Sequence, residues 1–370
     1  MAERVHSVDA MRIVAVVFVV LIHTDPFQGL GTAGNAVNFG IKTTARFAVP
    51  FFFVASGYFF ARKAADRDPR AYLARRAVAL GSVYAFGLVL AVPAFLGGRM
   101  ARDATAGRSI VDTALGELPA FFDPVEFLYY GTSVSEVLWF LPALLFSLAF
   151  VAAFAVAGRT DLALPVALCF HLVGLLGTSY TMVVDVPFEV RDGLFFGFFY
   201  VSLGYTVGRR GWTPARDRSR ALLGLVACFA VLQLVEFSLL GYPLRGEPFG
   251  SYVFAPSYGV STALLTVSLF LFLLSRPRLG ADTPLPSWGV YAVGIYVVHP
   301  VVLEAVRALR DALTAAGYGV GAEVFWHLGA TPATLLGALA LYRLAHRLRI
   351  VEIGGTHLPG APLLSSRWPR

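Results

Sequence analysis

Ten runs of apolar residues, each about 17–23 residues long, fill most of this chain, and a helix of that length matches a hydrocarbon core of about 30 Å. The runs fall at about 8–27, 42–61, 77–98, 137–158, 162–180, 193–208, 221–241, 254–275, 287–308 and 324–345. In lipid each backbone N–H and C=O must find a partner within the protein, and a helix supplies one inside its own segment. The sequence therefore predicts an all-α, polytopic integral membrane protein with about ten transmembrane helices. Composition agrees. Of 370 residues, 57% are hydrophobic and 14% are charged, with mean hydropathy +0.69, against about 25% charged in a soluble domain. One domain over 1–350 and a short cytoplasmic tail over 351–370 are expected, with the longest connection at about 99–136. No cleavable leader is expected, because the first run holds Asp9 and Arg12 and no small-residue cleavage pattern follows it.

The net charge of +7 is explained by topology, and no nucleic-acid partner is expected. Basic residues gather in short connections that alternate in side. The 61–76 connection holds Arg62, Lys63, Arg67, Arg70, Arg75 and Arg76, and the 209–220 connection holds five more arginines. Arg276, Arg278, Arg343, Arg347 and Arg349 fall on the same side. The opposite side has fewer, among them Arg99, Arg102, Arg108, Arg191 and Arg245. Both termini are therefore expected in the cytoplasm, in a multi-pass protein of the cell membrane. Cys169 and Cys228 lie inside apolar runs and read as small core residues, with no disulfide framework and no metal site.

Against this background the ionisable groups inside the runs stand out, because charge in lipid is costly and more often functional than accidental. Arg12 and His23 bracket the apolar segment Ile13–Ile22. Eleven positions turn a helix through about three circles, so both side chains share one stripe, roughly 16 Å apart. Asp9, three residues before Arg12, can pair with it. Arg12 then lies toward the cytoplasm and His23 toward the outside. The outer half also collects Asp25, Arg46, Glu136, Glu236, His299, Glu304, Arg307 and His327. Neighbours such as Glu304 and Arg307 can be paired helix glue, and His171 and Glu236 read most simply as structural. His23 stands where the helix ends, before Thr24-Asp25-Pro26. A neutral imidazole there can take a proton near neutral pH, with Asp25 as a conceivable orienting group.

Four segments, in order, resemble the membrane acyltransferase 3 family. Ser7-Val8-Asp9-Ala10-Met11-Arg12, ten residues and His23 is similar to its first helix; Arg46 to Tyr58, with Val49-Pro50 and Ser56-Gly57, to its second. Glu136-Val137-Leu138-Trp139-Phe140-Leu141 resembles its Leu-Trp-Phe-Leu segment, and Ile295-Tyr296-Val297-Val298-His299 its late Ile-Tyr-x-x-His segment. The family often has Arg-x-x-Arg at the start of its third helix. Here that start is Arg75-Arg76, while Arg67-Asp68-Pro69-Arg70 stands earlier, where the Asp-Pro pair disfavours helix. The chain is similar to the free-standing form, without a fused esterase-like domain.

The resemblance implies transfer of an acyl group, commonly acetyl from acetyl-CoA, to a hydroxyl of a carbohydrate or lipid-linked acceptor, with acyl-CoA as co-substrate and no metal. It implies His23 as general base, with Arg12 and Asp9 at the donor end. Arg46 and Ser56 would face the donor or the developing oxyanion, and Arg75 and Arg76 the phosphates of acyl-CoA. Trp139, Glu136 and His299 would line the substrate site. The aromatic residues of the 99–136 connection, Phe121, Phe122, Phe127, Tyr129 and Tyr130, can cover an outer vestibule or form a packed cap. The rival function is a transporter or flippase of a glycan or small acid. Its usual sign, an internal repeat, is not evident.

Overall fold

A tight turn decides where the first helix stops. In the computed structural model, which describes residues 4–64, 68–184, 186–253 and 255–351, helix α1 spans His6–Thr24 and ends because Asp25 takes a left-handed conformation (φ 48°). Helix α2 (Gly31–Ala45) follows, then α3 (Ala48–Ala64) and α4 (Pro69–Thr105). Helix α5 (Ile110–Phe121) and a π-helical turn at Glu126–Tyr130 occupy the long connection. Next come α6 (Phe140–Val156), α7 (Thr160–Thr178), a π-helical turn at Gly193–Gly197 and α8 (Phe198–Arg209). Helices α9 (Ser219–Gly241), α10 (Val260–Ser275), α11 (Leu285–Trp288), α12 (Ala292–Ala315) and α13 (Val324–Arg347) complete the chain. Among the described residues there is no strand.

Among the described residues, seven segments are long and apolar enough to cross a membrane. Helices α6 and α10 are apolar but shorter, at 17 and 16 residues. The protein is thus an all-helical, multi-pass membrane protein. Helix α4 corrects the sequence reading most. It runs 37 residues, well beyond the expected 77–98, and it begins at the Asp-Pro pair that was expected to disfavour helix. Asp68 is the N-cap, its carboxylate accepting the Arg70 N–H at 3.0 Å, and Pro69 occupies the first turn. Proline lacks only an N–H that the first turn leaves unused, so it favours a helix start. Arg67 and, apart from Val351, the expected tail over 351–370 lie outside the described residues.

Helix α1 sits at the centre, touching α2, α3, α10, α11, α12 and α13. The closest packing joins α3 to α8. A Cβ on Gly57 would collide with the Val201 carbonyl, and one on Gly204 with the Val54 carbonyl, so small residues let the two backbones touch. Aromatic rings fill the adjoining core: Phe53 meets Phe140 and Phe196 edge to face, at 5.0 and 5.5 Å between centroids. Cys169 and Cys228 are exposed on α7 and α9, which corrects their reading as core residues. In a bilayer an apolar residue can face lipid as readily as the interior, so an apolar run alone does not mark burial.

Candidate functional site at the two ends of the first helix

Three helices clamp the end of α1 that carries His23. Arg307 of α12 donates from Nη2 to the His23 carbonyl at 3.0 Å, placing a cation at a helix C-terminus. Thr24 and Thr331 of α13 share a hydroxyl–hydroxyl bond of 2.8 Å. Asn38 of α2 donates to the Pro26 carbonyl at 2.9 Å. Phe27, at φ 65°, donates its N–H to His327 Nδ1 at 3.0 Å, and the His327 ring stacks on its own. Two consecutive-but-one non-glycine residues with positive φ are costly, and these contacts hold them.

His299 lies beside His23, with ring centroids 5.5 Å apart and planes at 38°. The reason its ring is set as it is lies in the next residue. Pro300 has no N–H, so the Tyr296 carbonyl loses the helical partner four residues on. His299 Nδ1 fills that vacancy at 2.7 Å. Because the carbonyl can only accept, Nδ1 carries the proton and Nε2 holds a lone pair. Nε2 is buried and has no hydrogen-bond partner among the described residues. The His299-Pro300 dipeptide was the sequence signal for this arrangement.

Arg46, at the end of α2, donates from Nη2 to the Ala255 carbonyl at 2.7 Å, while its buried Nε has no partner among the described residues. Arg46, Lys42 and Arg191 all act electrostatically on His23, making this end of the bundle positive. Arg191, which sequence reasoning missed as a site residue, lies over the Trp139 ring at 5.3 Å. Trp139 is buried against Phe53 and Phe196. Asp25 pairs with Lys42 at 2.5 Å, so it is committed elsewhere than to His23. Glu136 is exposed.

At the other end of α1, Asp9 accepts from Arg12 at 3.1 Å, the expected pair, and also from Arg4 at 2.8 Å. Arg12 remains 34% exposed and lies over the Phe59 ring at 5.2 Å. Lys63 approaches the same ring at 6.0 Å. Arg62 donates to the Tyr58 hydroxyl at 2.7 Å, and Arg76 to the Tyr72 hydroxyl at 3.0 Å. Arg76 acts electrostatically on Arg12; Arg75 is half-buried nearby in sequence. Four cations from three helices thus gather on aromatic faces. Between the two ends, Phe52, Ser56 and Phe59 form one half-exposed stripe on α3, whose other residues in this stretch are buried. Ser56 stands midway along it, while Gly57 makes the close helix contact.

Several polar groups have structural roles. Glu304 pairs with Arg102 of α4 at 2.8 Å, which corrects the expected Glu304–Arg307 pair: the two lie on one helix, but Arg307 reaches back to α1. Glu236 caps α10, accepting from the N–H groups of Val260 and Ser261 at 2.9 and 2.8 Å. His171 stacks on Phe199 at 4.3 Å. The 99–136 connection packs on the bundle only in part: Phe121 is buried and the Tyr84 hydroxyl bonds the Phe127 carbonyl at 2.7 Å, while Leu115, Phe122 and Leu128 are exposed. Tyr129 donates to Asp192 at 2.6 Å. Asp192 is 2% exposed and caps the turn before α8 through the Leu194 and Phe195 N–H groups. Burial raises its pKa above the usual carboxylate range, against the opposing pull of these hydrogen bonds.

These features coincide with a match to a family model described as an acyltransferase domain, over residues 5–343. The chain belongs to that acyltransferase family. Among curated proteins it is 26% identical to an amino-acid racemase of Enterococcus faecalis, over 84% of this chain and 42% of that protein. It is 24% identical to a serine/alanine racemase of Enterococcus gallinarum, over 83% of this chain and again 42% of the relative. The chain thus spans less than half the length of these relatives. No solved structure matches it at a significant level.

Proposed function

We propose that the protein moves an acyl group, commonly acetyl, from cytoplasmic acyl-CoA to a hydroxyl of a carbohydrate or related cell-surface acceptor. In this reading about ten helices span the cell membrane and both termini are cytoplasmic. The observation that carries it is the His23–His299 pair beside the unpartnered Arg46 Nε. Two imidazoles at this spacing can both reach one hydroxyl, and a dry, positive setting suits a developing oxyanion.

His23 takes the proton of the acceptor hydroxyl as its oxygen bonds to the thioester carbonyl carbon. Arg46 stabilises the oxyanion. The C–S bond then breaks, and the thiolate of CoA leaves with the proton that His23 had taken. His299 Nε2, a free lone pair in this tautomer, is a second base or a ligand for the acceptor hydroxyl. At the far end, Arg12, Arg62, Lys63 and Arg76 bind the donor phosphates, with Arg75 close in sequence. Arg12 and His23 are roughly 16 Å apart along the helix, too far to act on one bond. An extended donor lying along the Phe52–Ser56–Phe59 stripe joins the two ends.

The racemase names of the relatives belong to proteins about twice as long, and racemase chemistry is not proposed for this chain. They do favour keeping a small acid in view, as acceptor or as the cargo of a transporter. Labelled acetyl-CoA supplied to the protein in liposomes separates the readings. Label should reach the acceptor with the wild type and not with His23→Ala, the variant remaining folded. An acceptor that crosses unmodified would instead establish transport, and full activity in the variant would remove His23 as base.

A further inference from the structure

At the end of α1, starting one residue past His23, lies a half-enclosed cavity of about 400 Å³, within the range of small-molecule sites. Its wall includes Thr24, Asp25, Arg307, Arg310, Trp326 and His327. We propose that it binds the oxyanion of a sugar-sized polar molecule, a carboxylate or a phosphate ester. Resting on the acyl-transfer reading above, it is the subsite that anchors the acceptor next to His23.

The charges in the wall argue for an anion. Arg307 and Arg310 stand three residues apart on α12, on one face. Arg307 has no carboxylate partner among the described residues, because Glu304, one turn earlier, is bonded to Arg102. One of its nitrogens holds the His23 carbonyl, and its planar fork retains further donors. Among the described residues Arg310 pairs only with its exposed neighbour Asp311, at 3.0 Å, a contact of little energetic weight. The acidic member of the wall, Asp25, is already neutralised by Lys42. The wall is thus net positive without an occupant.

The remaining wall favours a ring-bearing ligand and a fixed shape. Trp326 is half-exposed at the cavity, and an indole offers a broad apolar face with one donor. Both His327 nitrogens are engaged: Nδ1 accepts from Phe27 N–H, and Nε2 donates to the Gly321 carbonyl at 3.0 Å. It therefore shapes the cavity and leaves anion binding to the arginines. Arg307 touches both the cavity and the residue that takes the acceptor proton, so a ligand anchored there lies within one residue of the base.

Binding to the purified full chain in detergent, by calorimetry and without acyl-CoA, tests this. The probes are D-glucuronate, glucose 6-phosphate and D-glucose. At least one anion should bind, and glucose should bind about tenfold more weakly. Arg307→Gln and Arg310→Gln should each weaken anion binding by about tenfold, the size of one charge-assisted hydrogen bond. Arg310→Gln leaves the end of α1 untouched and guards against a folding effect at Arg307. Preference for glucuronate assigns a carboxylate, and preference for glucose 6-phosphate assigns a phosphate ester. Binding of neither anion, equal binding of glucose, or unchanged affinity in both variants overturns the proposal. Acetyl transfer is measured on the same samples. Anion binding with no transfer overturns the acyltransferase reading and leaves the cavity standing, whereas transfer with no anion binding overturns the cavity alone.

Discussion

The imidazoles of His23 and His299, brought from opposite ends of the chain, lie 5.5 Å apart between ring centroids. The tautomer of His299 depends on a backbone defect, since Pro300 leaves the Tyr296 carbonyl free for Nδ1. Pro300→Ala restores the missing N–H and makes it compete for that carbonyl. We expect roughly a tenfold fall in acyl transfer, a fraction of the 10²–10⁴ that a positioned base contributes. The fold should persist. Nitrogen NMR shifts of the His299 ring report the tautomer directly, and an unchanged ring with unchanged activity would remove Pro300 as a positioning residue.

Among the described residues Arg46 keeps one buried N–H unpartnered, and its charge acts on His23. Arg46→Lys preserves the charge but loses the planar fork and the Nε donor. Loss of one oxyanion donor costs about 10²–10³ in kcat, with KM for the donor little altered. A rise in KM alone, at constant kcat, would assign Arg46 to ground-state binding.

The α3–α8 contact is set by glycine. Gly57→Ala drives a methyl into the Val201 carbonyl, and overpacking of this kind costs about 1–3 kcal/mol or more. Thermal unfolding in detergent should show a clear drop in Tm. The same exchange at Gly224, where a Cβ meets nothing, should leave Tm unchanged or slightly raised.

Asp192 lies outside the long apolar helices and its pKa is raised by burial. For such a group the protonated form favours the fold. Its contribution is fully present below the ordinary carboxylate value and is lost as pH rises through the raised native value. Asp192→Asn keeps an oxygen for the Leu194 and Phe195 N–H groups while removing the titration. Between neutral pH and the ordinary carboxylate range, acidification should shift the Tm difference toward the wild type. A pH-independent difference would show that Asp192 is not held above its usual range.

Much of the scaffold was legible in the chain. Apolar run length gave helices wherever ten runs were read, because in lipid a helix is the only local way to satisfy the backbone. The Asp9–Arg12 pair followed from helical spacing alone. Helix limits were less legible. Asp68-Pro69 reads as a break in the chain but starts a helix, and α2 is too polar and α5 too short to read as a span. Hydropathy does not separate lipid from core, so it points Cys169 and Cys228 inward although both are exposed.

What the sequence determined by itself was local: which stretches are helical, where they cap, and that Arg12 and His23 share one stripe of α1. What only the tertiary structure decided was partnership. The motif around His299 marks it as a site residue, but nothing along the chain marks it as the neighbour of His23. Spacing matches Arg307 to Glu304, yet Arg307 bonds the His23 carbonyl while Glu304 turns to Arg102. A helix fixes neighbours three and four residues apart, whereas contacts across hundreds of residues follow from how helices pack. That packing rests on small residues and aromatic shape, whose complementarity has no period along the chain.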